Sequence, residues 1–308
     1  MKEEIVYPIP YRLNLTIGGS CFAGALLVLY MGSHTEKMLY QSGLAILFAI
    51  LMIPLYSLIH EAEHDMMHPN RKLNYWLGVV LSWIFVAPFT FIRKCHLNHH
   101  KHNRTDYEMW DLYYAHQQKW LRQGYFYIVR LGMEWIMIVV AVVLFALLPK
   151  LVFSKLFSWN HEIKGIIQGA NKDKLLVKIR LESYLVIAFQ FIIFFLLKLD
   201  IYFLIGAYFC HAFVWSSQNY VTHAFSPRDI INGAHNLKMP LLVRYLYLNF
   251  NIHLAHHQYP KMPWIYLPKC IQSTTKELSF WHIYIKLWLG PELTREPSPV
   301  ADKEIHSA

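Results

Sequence analysis

The sequence predicts an all-α integral membrane protein with about four transmembrane helices in two hairpins, re-entrant or interfacial helices, and a histidine-rich cap facing the cytoplasm. Three observations predict this. Of the 308 residues, 55% are hydrophobic and only 16% charged, against about 25% charged in a soluble domain. Two uninterrupted apolar runs, Leu13 to Met31 and Met38 to Ile59, approach the roughly 20 residues that cross a bilayer as helix. The 18 histidines are clustered rather than scattered, and the clusters sit at the ends of apolar segments.

The N-terminal stretch MKEEIVYPIPYR carries mixed charge, and no small-residue cleavage site follows it. No cleavable signal peptide is therefore expected. The first two runs form a hairpin, 13–59, turning at the nearly neutral SHTEK. The next apolar stretch, LNYWLGVVLSWIFVAPFTF (73–91), is short and contains Pro88, which predicts a re-entrant or interfacial segment. Polar and aromatic sequence runs from Arg93 to Gln123, and then a third long apolar run, about 124–148, carries Arg130 and Glu134 near its start. A basic, loop-like or amphipathic stretch follows. Tyr184 to Leu197 and Ile201 to Trp215 form the second hairpin, divided by KLD at 198–200. One domain is expected over 1–290, with 291–308, PELTREPSPVADKEIHSA, a disordered tail.

Orientation follows from Lys and Arg placement. Arg93, Lys94, Lys101 and Arg104 surround one histidine cluster, and Lys150, Lys155, Lys164, Lys172, Lys174, Lys178 and Arg180 populate the later basic stretch. Both regions are assigned to the cytoplasm. The run 124–148 must then return to the side it started from, lying in the interface, re-entering or being buried; a true span would break the parity. The net charge of +9 comes without a nucleic-acid motif and fits loops near anionic lipid or a dock for an acidic protein. The four cysteines, Cys21, Cys95, Cys210 and Cys270, contain no C-x-x-C pair, so neither a disulfide framework nor a zinc ribbon is expected. Cys95 adjoins a histidine cluster and is assigned as an inert neighbour.

HEAEHDMMH places His60, His64 and His68 on one helical face. HLNHHKH supplies His96, His99, His100 and His102, and NIHLAHHQYP supplies His253, His256 and His257. HEAEH matches the H-E-x-x-H pattern of zinc proteases. A protease needs only one further ligand, which leaves both H-x-x-H-H clusters unexplained. A ferritin-like carboxylate site needs two E-x-x-H motifs, and only Glu61–His64 is present. Imidazoles in this density suit Zn, Cu, Fe or Ni. Eight or more are too many for one four-coordinate ion, so the number fits two metals.

H-x-x-x-H, H-x-x-H-H and H-x-x-H-H, in this order and separated by apolar hairpins, resemble the membrane fatty acid desaturase superfamily, over roughly residues 40 to 270. NFNIHLAHHQYPKMPWIYLPK (249–269) and HLNHHKHNRTDYE are similar to boxes of bacterial-type lipid desaturases. NYVTH, with Asn219 and His223, resembles the N-x-x-x-H element of stearoyl-CoA desaturases, in which the His binds metal and the Asn acts through water. The resemblance implies two iron ions, O2 as co-substrate, a lipid or fatty-acyl substrate, and ligands His60, His64, His96, His99, His100, His223, His253, His256 and His257, with Asn219 reaching a metal through water. His68, His102 and His211 have no counterpart and are expected outside the ligand set. Glu61, Glu63, Asp106 and Glu108 are candidate acceptors for the far ring nitrogens. No H-P-G-G haem motif occurs, so electrons are expected from a separate ferredoxin or cytochrome b5-like donor. A hydroxylase or ketolase on the same scaffold stays open, as does a non-oxidative zinc protease, metal transporter or haem protein.

Overall fold

The computed structural model describes residues 7–152, 154, 173–271 and 277–300. The basic stretch between 155 and 172 lies outside the described residues, as does 301–308 of the expected tail. Helix α1 spans Tyr11–Ser33 and α2 spans Met38–Glu63; they pack as the expected first hairpin. Helix α2 ends where Asp65 takes φ 63°. There the buried side chain of Asn74 accepts the Met67 and His68 N–H groups and donates to the Ala62 carbonyl.

Helix α3, Arg71–Phe85, opens on Asn70, whose carboxamide oxygen accepts the N–H groups of Lys72 and Leu73. It ends at a left-handed Val86 just before Pro88, and α4, Phe89–His102, leaves at a bend of 100°. Proline biases the residue before it away from helical backbone, and the break falls in the segment expected to be re-entrant or interfacial. After the short strand β1, Leu112–Tyr114, the run 124–148 is one bent helical path. It comprises α5 Lys119–Ile128, a π-turn Val129–Met133 and α6 Glu134–Leu147. Gly132 holds φ 127° in that turn, a left-handed conformation that side chains rarely adopt, and packs at ordinary contact distance against Ala212.

A single turn, α7 Pro149–Val152, follows, then α8 Asp173–Leu196 and α9 Ile201–Gln218. Asp200 of the KLD break caps α9 by accepting the Phe203 N–H. The two arms of the expected second hairpin pack mainly on other elements: α8 on α6, α3 and α4, and α9 on α2 and the π-turn. Among the described residues, the single helices long and apolar enough to cross a membrane are Tyr11–Ser33, Met38–Glu63, Lys119–Leu147 and Lys174–Leu196, and the bent pair Arg71–Phe85 and Phe89–His102 is long and apolar enough when taken together. Four such helices were expected, but Lys119–Leu147 takes the place assigned to Ile201–Trp215, because α9 is diluted by His211, Ser216, Ser217 and Gln218.

The remainder forms the cap: β2 Leu237–Lys238, α10 Leu241–Leu246, α11 His253–Gln258, a 3-10 turn Trp264–Cys270, β3 Leu278–Ser279, α12 Phe280–Leu287 and β4 Glu292–Thr294. The strands make two small parallel pairs, β1 with β4 and β2 with β3. Residues 292–294, expected in a disordered tail from 291, instead pair with Leu112–Tyr114. Backbone hydrogen bonds to an open strand edge hold that segment, a pairing its polar composition does not reveal. Trp264 locks the cap to the bundle. Its N–H donates to Glu61 on α2, its indole N–H donates to Asn14 on α1, and its carbonyl accepts from Asn249.

Candidate metal centre

Three helix ends and one turn converge on the cap. Helix α2 brings His60 and His64, one turn apart, to its C-terminus. Helix α4 brings His96, His99 and His100. The six-residue α11 brings His253, His256 and His257. Its otherwise unpaired first N–H groups are satisfied across the chain: His253 and Leu254 donate to the His235 carbonyl, and Ala255 donates to the Asn236 side chain. His223 sits in the turn after α9.

Their ring nitrogens form two sets. His60, His64, His96, His100 and His256 offer nitrogens all within 4.8 Å of one another, and His99, His223, His253 and His257 do the same. Adjacent residues on a helix point about 100° apart, because 3.6 residues make a turn. The neighbouring pairs His99–His100 and His256–His257 therefore each divide between the sets, and each H-x-x-H-H box serves both. All nine histidines expected as ligands are in these sets.

The donor chemistry fits two cations. The Nε2 of His96 lies 2.6 Å from that of His64 and 3.0 Å from that of His100, which in turn lies 3.1 Å from that of His256. In the second set, the Nε2 atoms of His99 and His223 are 3.2 Å apart. A neutral imidazole has one N–H to give, so convergence of this many ring nitrogens turns lone pairs on one another, which a shared cation resolves. Burial, reinforced by the neighbouring imidazoles, holds His223, His253, His256 and His257 well below the ordinary histidine range. These rings are neutral near pH 7, the form that binds metal. His223 Nδ1 donates to the Gly233 carbonyl at 2.9 Å, which leaves its Nε2 lone pair facing the set.

The expected acidic acceptors divide. Glu108 lies 3.4 Å from His99 Nδ1, and Glu63 lies 3.9 Å from His96 Nδ1, beyond hydrogen-bond reach. Glu61 serves the Trp264 N–H. Asp106 does not reach the centre: it accepts from Arg228 and from the Tyr114 hydroxyl at the surface. His68 turns away, its Nδ1 accepting the Asn70 N–H and its ring edge-on to Tyr11. His102 bonds the Asn98 carbonyl. His211 is buried among Phe48, Phe85 and Trp135, outside both sets.

The Asn219 amide donates to Glu134 at 2.9 Å, and Glu134 also accepts from the buried Arg130 at 2.6 Å. The link between this charged pair and Asn219 was not foreseen; two charges inside an apolar run were its signal. Neither the Gly233 carbonyl nor Trp264 carries a local sequence signal.

Asn219, Glu63, Glu108 and Glu134, with His96, His99, His223 and His253, belong to the walls of a cavity of about 370 Å³. Most of its other walls are apolar or aromatic, among them Phe85, Phe91, Ile138, Ala141 and Leu144. Cys95 also lines it and joins neither nitrogen set. A lining of this composition suits an apolar ligand.

No curated protein matches the chain by sequence. The family model for "Fatty acid desaturase" matches residues 40–282, which holds all three boxes, the Asn219–His223 element and the residues that line the cavity. Together with its apolar helices and clustered histidines, that match makes this membrane protein a member of the fatty acid desaturase family.

Proposed function

We propose that the protein is an O2-dependent di-iron desaturase that introduces a carbon–carbon double bond into a lipid-linked fatty-acyl chain. The observation that carries this reading is that both imidazole sets contribute to the wall of a largely apolar cavity, through His96 of one and His99, His223 and His253 of the other. His60, His64, His96, His100 and His256 would hold one iron, and His99, His223, His253 and His257 the other, with Asn219 acting through water. Bound iron would supply the activation of O2 and the removal of hydrogen from an unactivated C–H bond. The protein's own residues do the rest. Apolar walls exclude water and fix the chain, so that one pair of carbons lies beside the sets. Glu108 and the Gly233 carbonyl orient imidazoles.

Ile128, Met133, Met137 and Val140 line the cavity and are 38–54% exposed. They support lateral entry of an acyl-lipid from the bilayer; acyl-CoA is the other carrier. Electrons come from a separate ferredoxin or cytochrome b5-like protein, and the lysines and arginines near the boxes support a cytoplasmic face.

The test is product analysis after iron loading, with O2, a reducing system and deuterated acyl-lipid. A product lighter by two hydrogens is expected; a product heavier by one oxygen would make it a hydroxylase instead. Turnover under strict anoxia or without reductant would sink the proposal.

A further inference from the structure

Between α2, α9 and the cap lies a second cavity, of about 40 Å³. Its walls are largely apolar, yet they contain buried polar atoms with no hydrogen-bond partner among the described residues. These are both ring nitrogens of His211, Nε1 of Trp215, Oγ1 of Thr222 and Oδ1 of Asn251. His211, Thr222 and Asn251 are at most 2% exposed. A buried donor or acceptor left unpaired bears the full cost of its desolvation, and native interiors settle such groups with ordered water. At roughly 10–15 Å³ per water the cavity takes about three, each needing two to four polar partners. The orphaned atoms supply them.

The position of this chamber matters as much as its polarity. Tyr56, Trp215, Asn219 and Phe250 belong to the walls of both cavities. Asn219 thus faces the small chamber while its amide is bonded to Glu134 in the large one. Other lining residues, Gln218 and Tyr247, are partly exposed.

Desaturation breaks two C–H bonds, forms one C=C bond and reduces O2 to two waters with two electrons from the external donor and two protons from solvent. Those protons and waters must pass while an acyl chain fills the large cavity, and that chain excludes water. We propose that the small chamber is the hydrated passage for protons and product water, with His211 and Thr222 holding its waters and Asn219 at its inner end. The proposal rests on the desaturase reading.

The test uses the full-length, iron-loaded protein and the variants His211→Leu and Thr222→Val. Both variants should keep the wild-type iron content. Their kcat should fall on the order of tenfold, less than loss of a directly positioned acid because water can rearrange. KM for the acyl substrate should hold, and the solvent deuterium isotope effect on kcat should rise. A high-resolution structure of the wild type should show waters bonded to His211 and Thr222. A dry chamber, or variants with unchanged kcat and isotope effect, would overturn the proposal. Waters in the chamber of a protein that oxidises no acyl chain would overturn the desaturase reading and the passage role with it, while leaving the hydrated site intact.

Discussion

Gly233→Ala tests whether the two nitrogen sets act as separate sites. The Gly233 carbonyl accepts from His223 Nδ1 at 2.9 Å and from the Asn103 side chain at 3.1 Å. A Cβ added at this position would stand 2.1 Å from the Asp229 carbonyl and 2.4 Å from Arg104 Cγ, whereas ordinary contact begins at 3.4 Å. The backbone oxygen of Asp229 cannot swing aside as a flexible side-chain end could, so the loop has to give by about 1 Å. A hydrogen bond stretched that far beyond 2.9 Å leaves the useful range of about 2.7–3.2 Å. Loss of a partner that orients a ligating imidazole costs about 10–100-fold in metal affinity, or about 1.4–2.7 kcal/mol. The loss should fall on the set containing His223. At limiting metal, the stoichiometry of purified Gly233→Ala should move from two ions per chain toward one, measured by elemental analysis across an iron titration. Gly206→Ala, where an added Cβ meets nothing within 4 Å, is the control and should bind as wild type. Wild-type affinity and stoichiometry in Gly233→Ala, or equal loss from both sets, would refute the reasoning.

Alanine at any of the nine clustered histidines should lower metal content and abolish turnover, while His68→Ala and His102→Ala keep their iron; iron bound through His68 in place of His223 would reverse the assignment. Glu182 on α8 accepts from the Tyr75 hydroxyl and from both the N–H and hydroxyl of Thr90, pinning the start of α4. Glu182→Ala leaves the buried Thr90 donors without a partner and should cost about 3 kcal/mol, visible as a lower Tm in detergent; an unchanged Tm would count against the clamp. For the metal-free protein, folding holds His223, His253, His256 and His257 neutral, whereas the unfolded chain takes up protons below the ordinary pKa of 6.5. Stability should therefore drop as pH falls below that value, by up to about 1.4 kcal/mol per pH unit for each group. A flat Tm between pH 8 and pH 5.5 would contradict this.

The membrane class, the first hairpin, the break near Pro88 and the clustered histidines were all legible because each is local. Run length, proline and the i, i+3, i+4 spacing of imidazoles are properties of short stretches of chain. Which imidazole joins which set was not legible: it depends on how α4 and α11 are rotated against the end of α2, and residues distant in sequence settle those rotations. Glu182 pins α4, His235 and Asn236 cap α11, and Trp264 ties the cap to Asn14 and Glu61. The path of 124–148 was left open by the sequence for a related reason. Charge parity treats each apolar run as spanning or not spanning, whereas this run bends at a π-turn whose Gly132 meets Ala212 on α9. The second hairpin and the supposed tail were likewise decided by tertiary partners. Helix α8 packs on α6 rather than on α9, and the 292–294 backbone pairs with β1. Hydropathy determines which segments leave water; the side-chain and backbone contacts between distant segments decide what they meet.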